Sequence, residues 1–261
     1  MVKDMTFSAF NVSCIGASHL KTNKPCQDYS ACWNSGAMAI IAVADGHGAE
    51  IHSRSERGAR FAVETAIECI RELLMLKDSL LPNPSEALCT LEKSIIASWQ
   101  EKVADDIRGD PIAGDAVNHY GTTLLAAAVT QSYWFAIQIG DGKCVVINKN
   151  NRFSQPVPWD ERCFLNRTTS ICDENACDLF RHFYSEHIPA AIFIGSDGID
   201  DSFPINENEK HLSRFYWKVF RNFIVEGNDK GREQLQEILP LFTQKGSGDD
   251  VSIAGIIRRF L

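Results

Sequence analysis

The feature that most limits this chain is a run of eight apolar residues, Ala37-Met38-Ala39-Ile40-Ile41-Ala42-Val43-Ala44, which stops at Asp45-Gly46. Successive side chains of a strand point to opposite faces, so a strand with one wet face alternates apolar and polar residues. A short run without alternation predicts a strand covered on both sides. The fold must therefore supply a layer above and a layer below that sheet. Residues 123–129 and 190–194 are apolar runs of similar, strand-like length. None approaches the about 18–20 residues that a membrane-spanning helix needs.

The connections set the strand direction. Strands are predicted over 122–130, 134–139 and 143–148, joined by Gln131-Ser132 and Asp141-Gly142. Links this short make antiparallel hairpins. Further strands are read at 7–15, 29–33, 188–194 and 251–257. A helical stripe runs through 53–77, with Phe61, Ala62, Thr65, Ala66, Cys69, Ile70, Leu73 and Leu74 on one face. Leu81-Pro82-Asn83-Pro84 breaks it, and Ser85-Glu86 opens a second helix carrying Leu88, Leu91, Ile95, Trp99 and Val103. Two more helices are expected at 207–225 and 230–244. Residues 105–118 read as a polar loop and 149–186 as irregular. Hairpin strands with segregated helix pairs predict an α+β fold, and no linker or repeat divides it, so residues 1–261 are read as one domain.

Charge narrows the function. With 26 Lys and Arg against 34 Asp and Glu, the net charge is -8. That excludes general nucleic-acid binding, and no polybasic patch suits an anionic membrane. Met1-Val2-Lys3-Asp4 has no apolar signal core, so a cytoplasmic protein is expected. The nine cysteines include no Cys-x-x-Cys pair, and Cys163, Cys172 and Cys177 are spaced for neither a zinc ribbon nor a redox dithiol. Reduced, mostly buried thiols are expected.

Acids collect where strands end. Asp45-Gly46-His47-Gly48, Gly140-Asp141-Gly142, Ser196-Asp197-Gly198 and Gly248-Asp249-Asp250 each follow or precede an apolar run, and Asp28 follows Pro25-Cys26-Gln27. One Asp-Gly is a common turn signal, and Asp141-Gly142 alone fits a type I′ hairpin. As a set, carboxylates at several strand ends can converge on one rim, where cations relieve their repulsion. Oxygen-only ligands suit Mg²⁺ or Mn²⁺. Two such ions about 3.5–4 Å apart form a site for hydrolysing phosphate esters.

In this order the motifs Gln27-Asp28, Asp45-Gly46-His47-Gly48, Gly121-Thr122-Thr123, Gly140-Asp141, Ser196-Asp197-Gly198 and Asp249-Asp250 resemble the PPM-type (type 2C) metal-dependent protein Ser/Thr phosphatases. The resemblance runs from about residue 13 to 257. The opening Ser18-His19 and Pro25-Cys26-Gln27-Asp28 is similar to the compact, bacterial-like branch. The resemblance implies a four-layer α-β-β-α sandwich, two antiparallel sheets flanked by antiparallel helix pairs. It implies a monomer that hydrolyses phosphoserine and phosphothreonine in a protein substrate, by a water activated between two Mg²⁺ or Mn²⁺ ions. Asp45 would bridge the ions, with the Gly46 carbonyl as a further ligand. Asp197 and Asp249 would hold one ion, Asp28 would act through water, and Asp141 with Asp197 would form a weaker third site. His47 would be the general acid, and Gly121-Thr122-Thr123 would fix the strand beside the site.

The chain departs from the family in three places. Asn23 stands where the family often carries a phosphate-gripping Arg, leaving His19, Lys21 and Lys24 as candidates for that grip. Gly142 and Lys143 replace a Ser and an Arg, and Asp250 replaces an Asn. These changes carry a rival reading, a catalytically weak or inactive phosphoprotein-binding module on the same fold. A metal-dependent nuclease is disfavoured by the charge. His52, His119, His182, His187 and His211 read as surface or capping residues, Trp99, Trp134 and Trp217 as core, and Asp105, Asp106 and Asp110 as a solvated loop.

Overall fold

A computed structural model describes residues 5–76, 83–150, 152–164 and 167–260. The N-terminal Met1-Val2-Lys3-Asp4, Lys77 at the end of the first expected helix, and Leu81-Pro82 of its breaker lie outside the described residues. The order is β1 (Met5–Cys14), α1 (Ala17–Thr22), β2 (Asp28–Asn34), β3 (Ala39–Asp45), α2 (Ser55–Met75) and α3 (Pro84–Gly109). A 3-10 turn (Asn118–Tyr120) leads into β4 (Leu124–Val129), β5 (Trp134–Ile139), β6 (Lys143–Ile147) and β7 (Phe153–Ser154). Then come α4 (Ala176–Leu179), β8 (Arg181–Ser185), β9 (Ala191–Gly195), α5 (Asp197–Asp200), α6 (Asn208–Glu226), α7 (Asn228–Lys245) and β10 (Val251–Phe260).

The strands form two five-stranded sheets, ordered β1-β10-β9-β6-β7 and β2-β3-β4-β5-β8. The paired strands are antiparallel throughout. The unbroken run in β3 has the two coverings it requires. Ile40, Ala42 and Ala44 pack with Ala62 and Ala66 of α2 and Leu88 and Trp99 of α3. Ala39, Ile41 and Val43 face the other sheet, against Cys144, Val146, Ile192 and Ile194. Fully burying an Ile contributes about 1.5–3 kcal/mol. A third apolar layer joins Phe10, Phe193 and Ile253 to Tyr216 and Phe223 of α6 and Leu239 of α7. Phe10 stacks on Phe223 with ring centroids 3.8 Å apart. The layers are therefore α-β-β-α, in the arrangement expected.

Several local expectations change. The Asp141-Gly142 link makes no hairpin: β5 pairs with β4 and β8 in one sheet and β6 with β9 and β7 in the other, so this short turn crosses between the sheets. The second helix starts at Pro84, with Asn83 as its cap accepting from the Glu86 N–H, because Pro suits a first helical turn. It continues through Asp105 and Asp106 to Gly109. Asp106 is only half-buried there and is paired: it accepts from Arg57 at 2.9 Å and from the Tyr120 hydroxyl at 2.6 Å. Residues 149–186 contain β7, α4 and the edge strand β8. Trp217 is only half-buried, on the side of α6 where it meets Phe220.

Candidate active site

The motif segments meet at one end of the two sheets. In the second sheet, Asp28 at the start of β2 pairs with Asp45 at the end of β3. In the first, Gly195 at the end of β9 lies between Lys143 of β6 and Ile253 of β10. Ser196 joins the two ends: its hydroxyl donates to Asp28 Oδ2 at 2.8 Å and accepts from the Ser252 N–H at 2.9 Å.

Thr122 and Thr123 clamp the Asp45 backbone. The Asp45 N–H donates to Thr123 Oγ1 at 3.0 Å, while its carbonyl accepts from the Thr123 N–H and Thr122 Oγ1, both at 2.9 Å. Gly46 is needed next, since a Cβ there would lie 2.7 Å from the Gln27 and Ser55 carbonyl oxygens. Gly140, at φ +104, makes the turn that presents Asp141. The Gly140 carbonyl also accepts from Arg181.

A cleft of about 600 Å³ opens on this rim, lined by Asp45, Asp141, Asp197 and Asp249 together with His47 and Arg167. Asp173 and Asp201 also line it, so among the described residues six aspartates face one Arg and no Lys. Asp28 lies behind, buried. Burial, then the neighbouring Asp197 and Asp28, hold the Asp45 carboxyl well above the usual range. Burial also raises Asp28, with Ser196 opposing and Asp250 and Asp197 adding to the shift. Asp197 is pushed up to about 7 by burial, against a hydrogen bond with Asp45. Burial raises Asp141 as well, offset by Thr168.

The residues fit divalent cations. Asp28 Oδ1 and Asp197 Oδ1 are buried oxygens with no hydrogen-bond partner. Buried acceptors in that state are costly unless something positive meets them. The donor set is oxygen, which suits Mg²⁺ or Mn²⁺.

His47 sits over Gly121, whose carbonyl accepts from the His47 N–H at 3.0 Å. A Cβ at Gly121 would strike both His47 and His52, at 2.8 and 2.5 Å. The two imidazoles meet edge to face, 4.9 Å between centroids. Burial, then His52, pulls the His47 pKa down to about 4. His52, expected at the surface, instead lines the cleft with its Nδ1 bound to the Asn118 carbonyl.

The grip candidates lie elsewhere. His19 is buried, with Nδ1 3.0 Å from Asp250 Oδ2, and Lys21 and Lys24 are exposed; none lines the cleft. The unforeseen helix α1 is the reason, since it turns His19 inward and carries the chain away at Asn23 (φ 54). The two terminal aspartates also part. Asp249 faces the cleft, while Asp250 is buried and accepts from the Gly16 and Gln27 N–H groups at 2.5 and 2.6 Å. Arg167 had no sequence signal, because it stands in an irregular stretch far from every motif.

Known proteins are similar to this chain in sequence and in fold. The family model described as Protein phosphatase 2C matches residues 15–240. Serine/threonine-protein phosphatase 3 of Escherichia coli (strain K12) is 24% identical over 249 residues, which cover 91% of each chain. The structure of Stp1 from Staphylococcus aureus superposes with a TM-score of 0.62 at 16% identity, over 96% of this chain and 94% of that one. The PstP catalytic domain, solved with two manganese ions, has a TM-score of 0.60 at 13% identity, over 97% of this chain and 99% of that one. At such identities the structures speak for the fold alone. The family match, the paired sheets and the aspartate-lined cleft agree, and the chain belongs to the protein phosphatase 2C family.

Proposed function

We propose that this chain hydrolyses phosphoserine and phosphothreonine in proteins, using two Mg²⁺ or Mn²⁺ ions and a weaker third. The observation that carries this is a single cleft where aspartates from both sheets gather, with buried carboxylate oxygens that no protein group satisfies. Asp45, the Gly46 carbonyl, Asp28, Asp197 and Asp249 would hold the two ions, and Asp141 with Asp197 the third. When bound, such ions polarise the phosphoryl group and make water a nucleophile at neutral pH.

The chain's own residues supply the rest. The threonine clamp on Asp45 keeps its carboxylate in place without relying on a flexible loop. His47 is positioned by Gly121 and His52 to hand a proton to the departing serine or threonine oxygen. Its low pKa leaves the free imidazole neutral at pH 7. A phosphate dianion beside the ring favours the imidazolium and so opposes that lowering when substrate is bound. Arg167, the one guanidinium lining the cleft among the described residues, is suited to a bidentate grip on phosphate.

The test is hydrolysis of a phosphothreonine peptide by the purified protein with and without Mn²⁺. Turnover should require the metal and vanish in Asp45→Asn with the fold intact. Turnover in EDTA, or full activity of Asp45→Asn in excess Mn²⁺, would overturn the reading.

A further inference from the structure

We propose that the α3–β8 seam holds a second metal site of different chemistry, a zinc-type site formed by Cys89, Glu92 and His182. One ligand atom from each lies within 4.8 Å of the other two. Ser85, Cys89 and Glu92 stand at i, i+4 and i+7 on α3, so they share one face. His182, on β8, meets that face from the sheet side. Its Nδ1 is 3.0 Å from Glu92 Oε1 and its Nε2 is 3.0 Å from Ser85 Oγ.

The donor set separates this place from the aspartate cleft. It brings one sulfur, one nitrogen and one oxygen, a combination that suits Zn²⁺ and is foreign to Mg²⁺. Zinc bonds of about 2.0–2.3 Å at tetrahedral angles put ligand atoms about 3.3–3.8 Å apart. His182 Nδ1 and Glu92 Oε1, 3.0 Å apart, need to open by roughly a few tenths of an ångström, while the Cys89 sulfur, within 4.8 Å of both, closes onto the ion by a rotamer adjustment. Three protein ligands leave one position for water, as in an open zinc site.

Burial and charge favour a cation. Glu92 is 3% exposed, and His182 is the one charged or titratable group paired with it among the described residues. That pair already compensates the buried carboxylate, and a cation that takes both groups as ligands would keep it compensated. Glu86 and Glu92 both add negative field at Cys89, against one opposing Lys93. Cys89 is exposed, so the metal has an entry path. On binding, the Cys89 thiol gives its proton to solvent and the thiolate bonds the metal; no electron is transferred.

Cobalt(II) is the probe, because a thiolate ligand gives it a near-ultraviolet charge-transfer band that oxygen ligands do not. The whole protein, saturated with Mg²⁺ to fill the aspartate cleft, is titrated with Co²⁺. We expect one equivalent to produce that band with the visible bands of a tetrahedral ion, and Zn²⁺ to bleach both. Cys89→Ser should abolish the charge-transfer band. His182→Ala should weaken binding by more than the about 10–100-fold that loss of an outer partner costs. Cys177→Ser, at another exposed cysteine, should change nothing. Cys89 is exposed, so its variant should melt like the parent in EDTA. No thiolate band in the parent, or a band that survives Cys89→Ser, overturns the site.

Discussion

Asp249 and Asp250 are chain neighbours with opposite physical situations, and replacing each by alanine should separate stability from chemistry. The Asp250 carboxylate is 3% exposed and accepts from the Gly16 N–H, the Gln27 N–H and His19 Nδ1 at 2.5, 2.6 and 3.0 Å. Asp250→Ala strips the acceptor from two buried backbone donors and one imidazole. Each orphaned donor costs about 1–3 kcal/mol, so three cost about 3–9 kcal/mol, and water entering the space holds the loss near the low end, at about 4 kcal/mol. With a urea slope of about 3 kcal/mol/M, the unfolding midpoint should fall by about 1.3 M. The Asp249 side chain is 56% exposed, and Asp249→Ala should stay within about 1 kcal/mol of the parent. The assay is urea unfolding in EDTA, followed by tryptophan fluorescence, beside Mn²⁺-dependent turnover. Asp249→Ala should be stable and inactive; Asp250→Ala should be destabilised first. Equal midpoints for the two variants would refute the reasoning.

Three further outcomes are expected. Asp197→Asn should melt higher than the parent in EDTA, since only the parent ionises a carboxyl that burial raises from 3.8 to about 7. The raised acid keeps its proton in the fold and loses it when unfolded, so the gap should open as pH rises from 4 to 7; a gap that narrows would contradict this. His47→Gln should slow a phosphoserine peptide about 10²–10⁴-fold yet barely slow p-nitrophenyl phosphate, whose leaving group needs no proton; equal losses would assign His47 to positioning. Arg167→Ala should raise KM for a phosphopeptide while Lys21→Ala and Lys24→Ala leave it unchanged, and the reverse pattern would move the grip back to the segment around α1.

The layers were legible because burial on both faces leaves a signature in composition. The eight apolar residues before Asp45 had to be an inner strand, and the β4–β5 hairpin followed from its short link; the equally short link at Asp141-Gly142 misled, because it carries the chain from one sheet to the other. Strand β8 escaped because Arg181–Ser185 is half-buried along its whole length, so it shows neither an apolar run nor a clean alternation. The acids were legible as a set, since each ends or begins a strand. Their division of labour was not. Gly16 and Gln27 lie 234 and 223 residues before Asp250, and contacts at that distance leave no local trace. His52 and Arg167 reach the cleft for the same reason, through tertiary placement and not through any motif.

Strand β10 is inserted between β1 and the rest of its sheet, paired with β1 over ten residues from Met5↔Phe260 to Cys14↔Val251. Of the described strands β1 is made before all the others, and its one strand neighbour in that sheet, β10, after them. The second sheet can assemble with α2 and α3 from residues already made, while β1 waits through more than two hundred residues with an open edge. Pairings of such long separation form slowly, and unpaired edges invite association with other chains. The same closing strand follows directly after Asp249 and Asp250. The aspartate rim therefore cannot be complete before β10 is docked, and the cleft takes its final form only at that step.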